Sequence, residues 1–142
     1  MALAINTKKK ISALTNNVVY KDIASNLFFK NDDVDIQCNT NEDAVKQSIL
    51  NILLTNPGER LFNSIFGSEL NKMLFENITP QTTLGIVSLI KSGIENFEPR
   101  ANLIDVVASP SPDENAYNIT IIFSVINKNE PQLLEFLLYR VR

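Results

Sequence analysis

Between Thr79 and Val125 the spacing of apolar residues changes once, from helical to alternating, and the change falls at Phe97-Glu98-Pro99-Arg100. A chain carrying both periods in series lays a helix on a sheet, because one segment buries a stripe and the other a face. On a wheel of about 100° per residue, Leu89, Gly93, Ile86, Phe97, Ile90, Ile94 and Val87 share an arc of roughly 160°. Ser88, Lys91, Ser92 and Glu95 take the other side, where Leu84 is the one large apolar outlier. Thr79 followed by Pro80 supplies the start signal, an N-cap and then a residue whose missing N–H costs nothing there. Gly85 and Gly93 each weaken the helix by about 1 kcal/mol relative to Ala, which points to close packing against a neighbour.

Past Arg100, Leu103 to Ala108 is a strand candidate, and Ser109 to Asn115, with Pro110 and Pro112, reads as a loop. Tyr117, Ile119, Ile121, Phe123 and Val125 alternate with Asn118, Thr120, Ile122 and Ser124, which predicts a second strand. Asn127 to Pro131 reads as a hairpin connection to a last strand over Leu133 to Val141. Upstream, residues 1–39 lack helical periodicity and read as an arm, with extended candidates at Asn17 to Tyr20, Asn26 to Lys30 and Val34 to Cys38. Thr40 and Asp43 resemble a capping pair, and a helix over Asn41 to Thr55 would bury Ala44, Val45, Ile49, Ile52 and Leu53. Asn56-Pro57-Gly58 stops it, and a short helix over Ser68 to Phe75 would bury Leu70, Met73 and Leu74. The expected fold class is α+β. An arm over 1–39 precedes one domain over 40–142, with two or three helices on a small antiparallel or mixed sheet that ends in a three-strand meander. The open edges of such a sheet must be covered, blunted or paired with another chain.

Composition narrows the chemistry. The 142 residues, 44% of them hydrophobic, suffice for a core without disulfides or metals. There is no histidine, which removes Ser-His-Asp, Cys-His and His-metal mechanisms. Cys38 is alone, so no internal disulfide or thiolate cage can form; a reducing compartment and a small buried or half-buried side chain follow. A net charge of −3 gives no reason to expect nucleic acid, and Lys8-Lys9-Lys10 reads as a solvated arm or a contact to phosphate or an acidic partner. MALAINTKKK lacks the order of a secretory signal, and no apolar run is long enough to span a membrane. Acid–base catalysis would have to use Glu59, Glu69, Glu76 or Glu98, and nothing in their spacing sets two across a cleft. No catalytic residue, metal ligand or cofactor is therefore expected. Gly58-Glu59-Arg60 lacks the spacing of a phosphate-binding loop and reads as a turn, with Glu59 and Arg60 paired to each other or to other loops. In Glu98-Pro99-Arg100 a proline of fixed φ separates opposite charges. That suits docking from a stiff corner, or else a helix stop with a solvated ion pair.

Four segments in series, Asn56-Pro57-Gly58-Glu59-Arg60-Leu61-Phe62, Phe66-Gly67-Ser68-Glu69-Leu70, Leu74-Phe75-Glu76-Asn77-Ile78-Thr79-Pro80 and Phe97-Glu98-Pro99-Arg100, resemble the baseplate wedge and sheath-initiator family of contractile-tailed phages. The family also includes a type VI secretion baseplate component and carries an old lysozyme-like label. The resemblance covers Ala44 to Val125. It implies a non-enzymatic virion subunit, made in the host cytoplasm and placed in the inner tail baseplate. Its implied partners are the larger wedge core-bundle proteins, the tail sheath protein and other inner-baseplate proteins. By the same resemblance Glu98, Pro99 and Arg100 match the loop that docks on the core bundle, and the sheet would template the first sheath ring by exchanging strands. Pro57, Gly58, Glu59, Arg60 and Gly67 are the structural turn residues of the matching segments. A type VI secretion component or a peptidoglycan-cleaving enzyme is the alternative.

Overall fold

The computed structural model describes residues 18–25, 36–126 and 128–140 and divides into two compact units, one up to Ala44 and one from Val45 onward. In the first unit β1 (Lys21–Ile23) pairs antiparallel with β2 (Cys38–Thr40), Lys21 opposite Thr40. Asn41 follows with φ +50°, a left-handed turn that Asn tolerates better than most residues. Its side-chain oxygen accepts from the Val19 amide at 2.9 Å, and its own amide donates to the Tyr20 carbonyl at 2.8 Å. Thr40 is thus a ladder residue instead of the expected cap, since the strand takes its backbone. Val18 to Tyr20 precede β1 and are not strand. Asn17, Asn26 to Lys30, the start of Val34 to Cys38, and Lys8 to Lys10 lie outside the described residues. Cys38 is half-buried, its thiol 3.5 Å from the Ile36 carbonyl.

Helix α1 (Glu42–Leu54) spans the boundary between the units, with Glu42 and Asp43 in the first turn, where the helix dipole favours acids. Ala44, Val45, Ile49, Ile52 and Leu53 are buried, as the spacing predicts. Its C-terminal carbonyls are satisfied from the chain that returns: the Ser68 amide donates to Thr55 O at 3.0 Å and the buried Ser68 hydroxyl to Leu53 O at 2.9 Å. Gly67 makes that return possible. It has φ +119°, and a Cβ there would lie inside the contact radius of the Thr55 carbonyl oxygen. Helix α2 (Leu70–Met73) is one turn, shorter than expected. Leu74 and Phe75 continue it only through bonds three residues back, from Leu74 N to Asn71 O and Phe75 N to Lys72 O. Leu70 and Leu74 are buried, and Met73 is half-buried.

Helix α3 (Pro80–Phe97) starts at Thr79, whose hydroxyl accepts from the Thr82 amide at 3.2 Å. Ile86, Ile90, Gly93 and Ile94 form its buried stripe and Leu84 stands in solvent. It packs along the first strand of an antiparallel meander, β3 (Ala101–Ser111), β4 (Ala116–Val125) and β5 (Lys128–Tyr139), with β4 in the centre. Tyr117, Ile119, Ile121, Phe123 and Val125 are buried on one face, joined by Val106, Leu134 and Leu138 from the flanking strands. Burying one such side chain is worth roughly 1.5–3 kcal/mol. Two strands outrun their expected ends. Pro110 pairs with Tyr117 inside β3 and Pro131 with Ser124 inside β5, because on an edge strand the missing N–H can face outward. The expected Ser109 to Asn115 loop shrinks to a 3₁₀ turn over Pro112–Glu114 closed by Asn115 at φ +51°.

The two buried glycines separate cleanly. At Gly93 a Cβ would meet Ser68, Ile52 and Leu53 at 3.7–3.8 Å, ordinary contact distance. Gly93→Ala is expected to be neutral or to stabilise by up to about 1 kcal/mol, whereas Gly67→Ala should cost more than about 2 kcal/mol; urea unfolding of the two variants checks the contrast.

Candidate protein-docking site

The C-terminus of α3, the start of β3 and the end of β4 meet at Glu98-Pro99-Arg100. The Glu98 amide donates to Ile94 O at 2.9 Å, the Ala101 amide to Glu98 O at 3.1 Å, and the Ile126 amide to Arg100 O at 2.9 Å. The corner is therefore tied by its backbone to all three elements. Glu98 continues the α3 stripe four residues past Ile94, and its side chain is 2% exposed. Arg100 holds it with a two-pronged contact, Nε to Oε1 at 2.6 Å and Nη2 to Oε2 at 2.8 Å, and keeps its own side chain 34% exposed. Burial alone would push the Glu98 carboxyl up, but the hydrogen bonds from Arg100 and Ser48, with the Arg100 charge, outweigh it and hold the group below the ordinary carboxylate range. The sequence places two opposite charges on a stiff corner. In the folded chain Glu98 is turned inward, and Pro99 with the outer part of Arg100 forms the surface.

Residues of the first two matching segments build the loop beside this corner, while residues 74–80 lead into the opposite, N-terminal end of α3. The Glu59 carboxylate accepts from the Asn56 amide at 2.9 Å and from the Asn56 side chain at 2.7 Å; these bonds hold its pKa down. Asn71 on α2 grips the Asn56 side-chain oxygen at 2.7 Å, and the Gly58 amide closes the neck on Ser64 O at 2.8 Å. Gly58 has φ +93°, and Pro57 before it is exposed. Of the two expectations for Arg60, a pair with Glu59 or a contact to another loop, the structure shows a contact to the loop residue Phe66: the guanidinium carbon lies 3.6 Å from the ring centre, a cation–π contact. Phe66 in turn meets Phe97 with centroids 5.2 Å apart and planes at 54°. Arg60, Phe66 and Phe97 thus link the loop to the residue just before Glu98. Sequence reasoning missed what the loop carries at its tip, Leu61 and Ile65 at 94% and 78% exposure and Phe62 fully exposed.

The carboxylates considered for catalysis are dispersed in use. Glu59 binds Asn56, Glu69 pairs with Lys72 at 2.6 Å, Glu98 pairs with Arg100, and Glu76 is exposed. A general acid needs a raised pKa, and both shifted glutamates are lowered. Among the described residues no three His, Cys, Asp or Glu side chains cluster as metal ligands, and no helix is long and apolar enough to cross a membrane.

Because Glu98 is depressed when folded, its pair contributes stability that is complete above the unfolded value near about 4.3 and is lost as pH falls through the folded value. Glu98→Gln is expected to cost about 2 kcal/mol at pH 7, with a smaller gap to the unsubstituted chain at pH 3; urea unfolding at both pH values measures it.

Comparison with known proteins agrees with the geometry. The family model described as Baseplate wedge protein gp25 matches residues 39–130. The chain is 38% identical over 84 residues to the baseplate wedge protein gp25 of Enterobacteria phage T4, a match over 59% of this chain and 64% of that protein's length. Among solved structures it is similar to a Geobacter sulfurreducens protein provisionally named a tail lysozyme, at 30% identity over 69% of this chain and 89% of the other, TM-score 0.64. It is similar also to a chain of the anti-feeding prophage baseplate, at 25% identity over 87% and 86% of the two chains, TM-score 0.61. With four motifs in order and a family match over residues 39–130, this protein belongs to the baseplate wedge protein gp25 family.

Proposed function

We propose that the chain is a non-enzymatic wedge subunit of a contractile tail baseplate, assembled in the host cytoplasm, that docks through Pro99 and Arg100 on a helical core bundle of larger wedge proteins. One observation carries the reading: an arginine whose side chain is about one-third exposed is locked by a buried carboxylate at a corner tied to a helix and two strands. Glu98 positions Arg100 and leaves the partner to Arg100 itself. A guanidinium already fixed in place loses little side-chain entropy when a partner carboxylate or carbonyl meets it. The sheet serves a second contact. β3 is flanked by α3, while β5 forms the far edge of the meander, so its outward N–H and C=O groups suit pairing with a strand of the sheath protein. Other inner-baseplate proteins would meet the remaining surface.

A neighbouring reading is the same docking mechanism in a type VI secretion baseplate, and the likeness to a chain of the anti-feeding prophage baseplate supports a baseplate role outside phage T4 itself. A peptidoglycan-cleaving role draws no support from glutamates held below their ordinary pKa. Arg100→Ala alone is a poor test, because it strands the buried Glu98 carboxylate and should weaken the fold as well. The double change Glu98→Gln and Arg100→Gln removes both charges together. It should leave a cooperatively folded chain whose co-purification with the wedge proteins encoded beside it falls about tenfold or more. Undiminished assembly by that folded variant would contradict docking through the corner.

A further inference from the structure

One hydrogen bond fixes which backbone groups of β5 are open. Just past the Ala116–Tyr139 pair, the Arg140 amide donates to the Asn115 carbonyl at 2.8 Å, so Arg140 turns its backbone toward β4. In an antiparallel ladder that direction alternates from residue to residue, and the register runs unbroken from Tyr139 back to Pro131. Gln132, Leu134, Phe136 and Leu138 therefore face β4, while Leu133, Glu135, Leu137 and Tyr139 each hold an N–H and a C=O away from it. Pro131 agrees with this phase, since it faces outward and has no N–H to offer. It ends the row, and among the described residues no strand lies beyond β5.

The four outward residues also share one face of the sheet. Leu133, Leu137 and Tyr139 are 51%, 44% and 61% exposed there, and Glu135 is exposed between the two leucines. Its cross-strand row runs through Thr120 to Val107, and no described cation pairs with it. A hollow of about 380 Å³ along β4 and β5 has Glu135 as the one charge in its lining. A strand added at this edge lies about 4.8 Å from β5 and lays its own side chains over that face. It takes water from a carboxylate standing between leucines, which lowers affinity unless a counter-charge replaces the water. A cation directly across meets the need, with its aliphatic stem on the leucines and its head on Glu135.

A second copy cannot supply that cation from its own β5, whose outward residues include none. Two-fold antiparallel pairing at fullest overlap sets Leu133 against Tyr139 and Glu135 against Leu137. The registers on either side set Glu135 against its own counterpart or against Tyr139. We infer that the segment pairing with β5 comes from a different chain, lies along Leu133 to Tyr139, and carries a lysine or arginine across from Glu135 with apolar residues two positions to either side. This rests on the reading of β5 as a pairing edge and adds the residue that selects the partner, because like charges directly opposite repel and opposite ones attract.

The test places a photo-crosslinking leucine analogue at position 137 and co-expresses the chain with the products of the genes adjoining its own, crosslinked peptides being read by mass spectrometry. The captured segment is expected to carry lysine or arginine two residues from the crosslinked position. Glu135→Lys should lower the yield of complex about tenfold or more with the melting of the isolated chain unchanged, and changing that partner cation to glutamate should restore it. A captured segment without the cation, capture of a second copy's β5, full yield with Glu135→Lys, or a loss that the reversed charge does not restore would overturn the inference. In each of those cases capture from position 137 leaves β5 standing as a pairing edge. A complex that does not crosslink from 137, or no complex with the unsubstituted chain, removes the edge reading and this inference with it.

Discussion

A carboxylate almost wholly removed from water stays ionised only where another charge and several donors replace the water, and Arg100 with Ser48 does this for Glu98. The pair sits where three pieces of the fold change direction. Helix α3 ends on the Glu98 amide, β3 begins one bond later with the Ala101 amide on Glu98 O, and β4 ends with Ile126 bound to Arg100 O. Buried ion pairs contribute little net stability on average, because desolvation offsets the attraction. What this one provides is position. It fixes the orientation of a guanidinium on a corner that would otherwise be an ordinary helix stop.

Around that corner the packing is conventional and directional. α3 lays Ile86, Ile90 and Ile94 into the core, Gly93 packs beside Ile52 and Leu53 of α1, and Gly67 lets the returning chain cap α1 through Ser68. The same return carries the loop whose tip is left exposed. Core formation and the placing of the corner and the exposed loop are thus consequences of one set of contacts at the C-terminal ends of α1 and α3. A substitution at Gly67 would disturb both.

Long periodic segments were legible before the structure. The alternation of β4 agrees residue by residue with the observed burial, and the α3 stripe is centred on Ile86, Ile90, Gly93 and Ile94, with Val87, Leu89 and Phe97 half-buried at its margins. Edges were less legible. Pro110 and Pro131 read as breakers, yet each sits in an edge strand where its missing N–H is no loss. Thr40 read as a cap because the pattern of a capping pair does not reveal that the backbone is already paired with Lys21. At the candidate site, the motif pointed to the corner and not to the inward turn of Glu98. A signal did exist, since Glu98 lies four residues past Ile94 and falls on the rim of the buried stripe. Leu61, Phe62 and Ile65 carried none, as an apolar triplet in a sequence reads as core and only the fold shows it outside.

The most direct test is a cryo-electron microscopy map of the assembled baseplate containing this chain, at a resolution that shows side chains. The account expects Arg100 to remain two-pronged on its own Glu98 while its outer side and Pro99 lie against a neighbouring chain. A map in which Glu98 has left Arg100 to bind the neighbour, or in which the corner faces solvent with no chain against it, would contradict it.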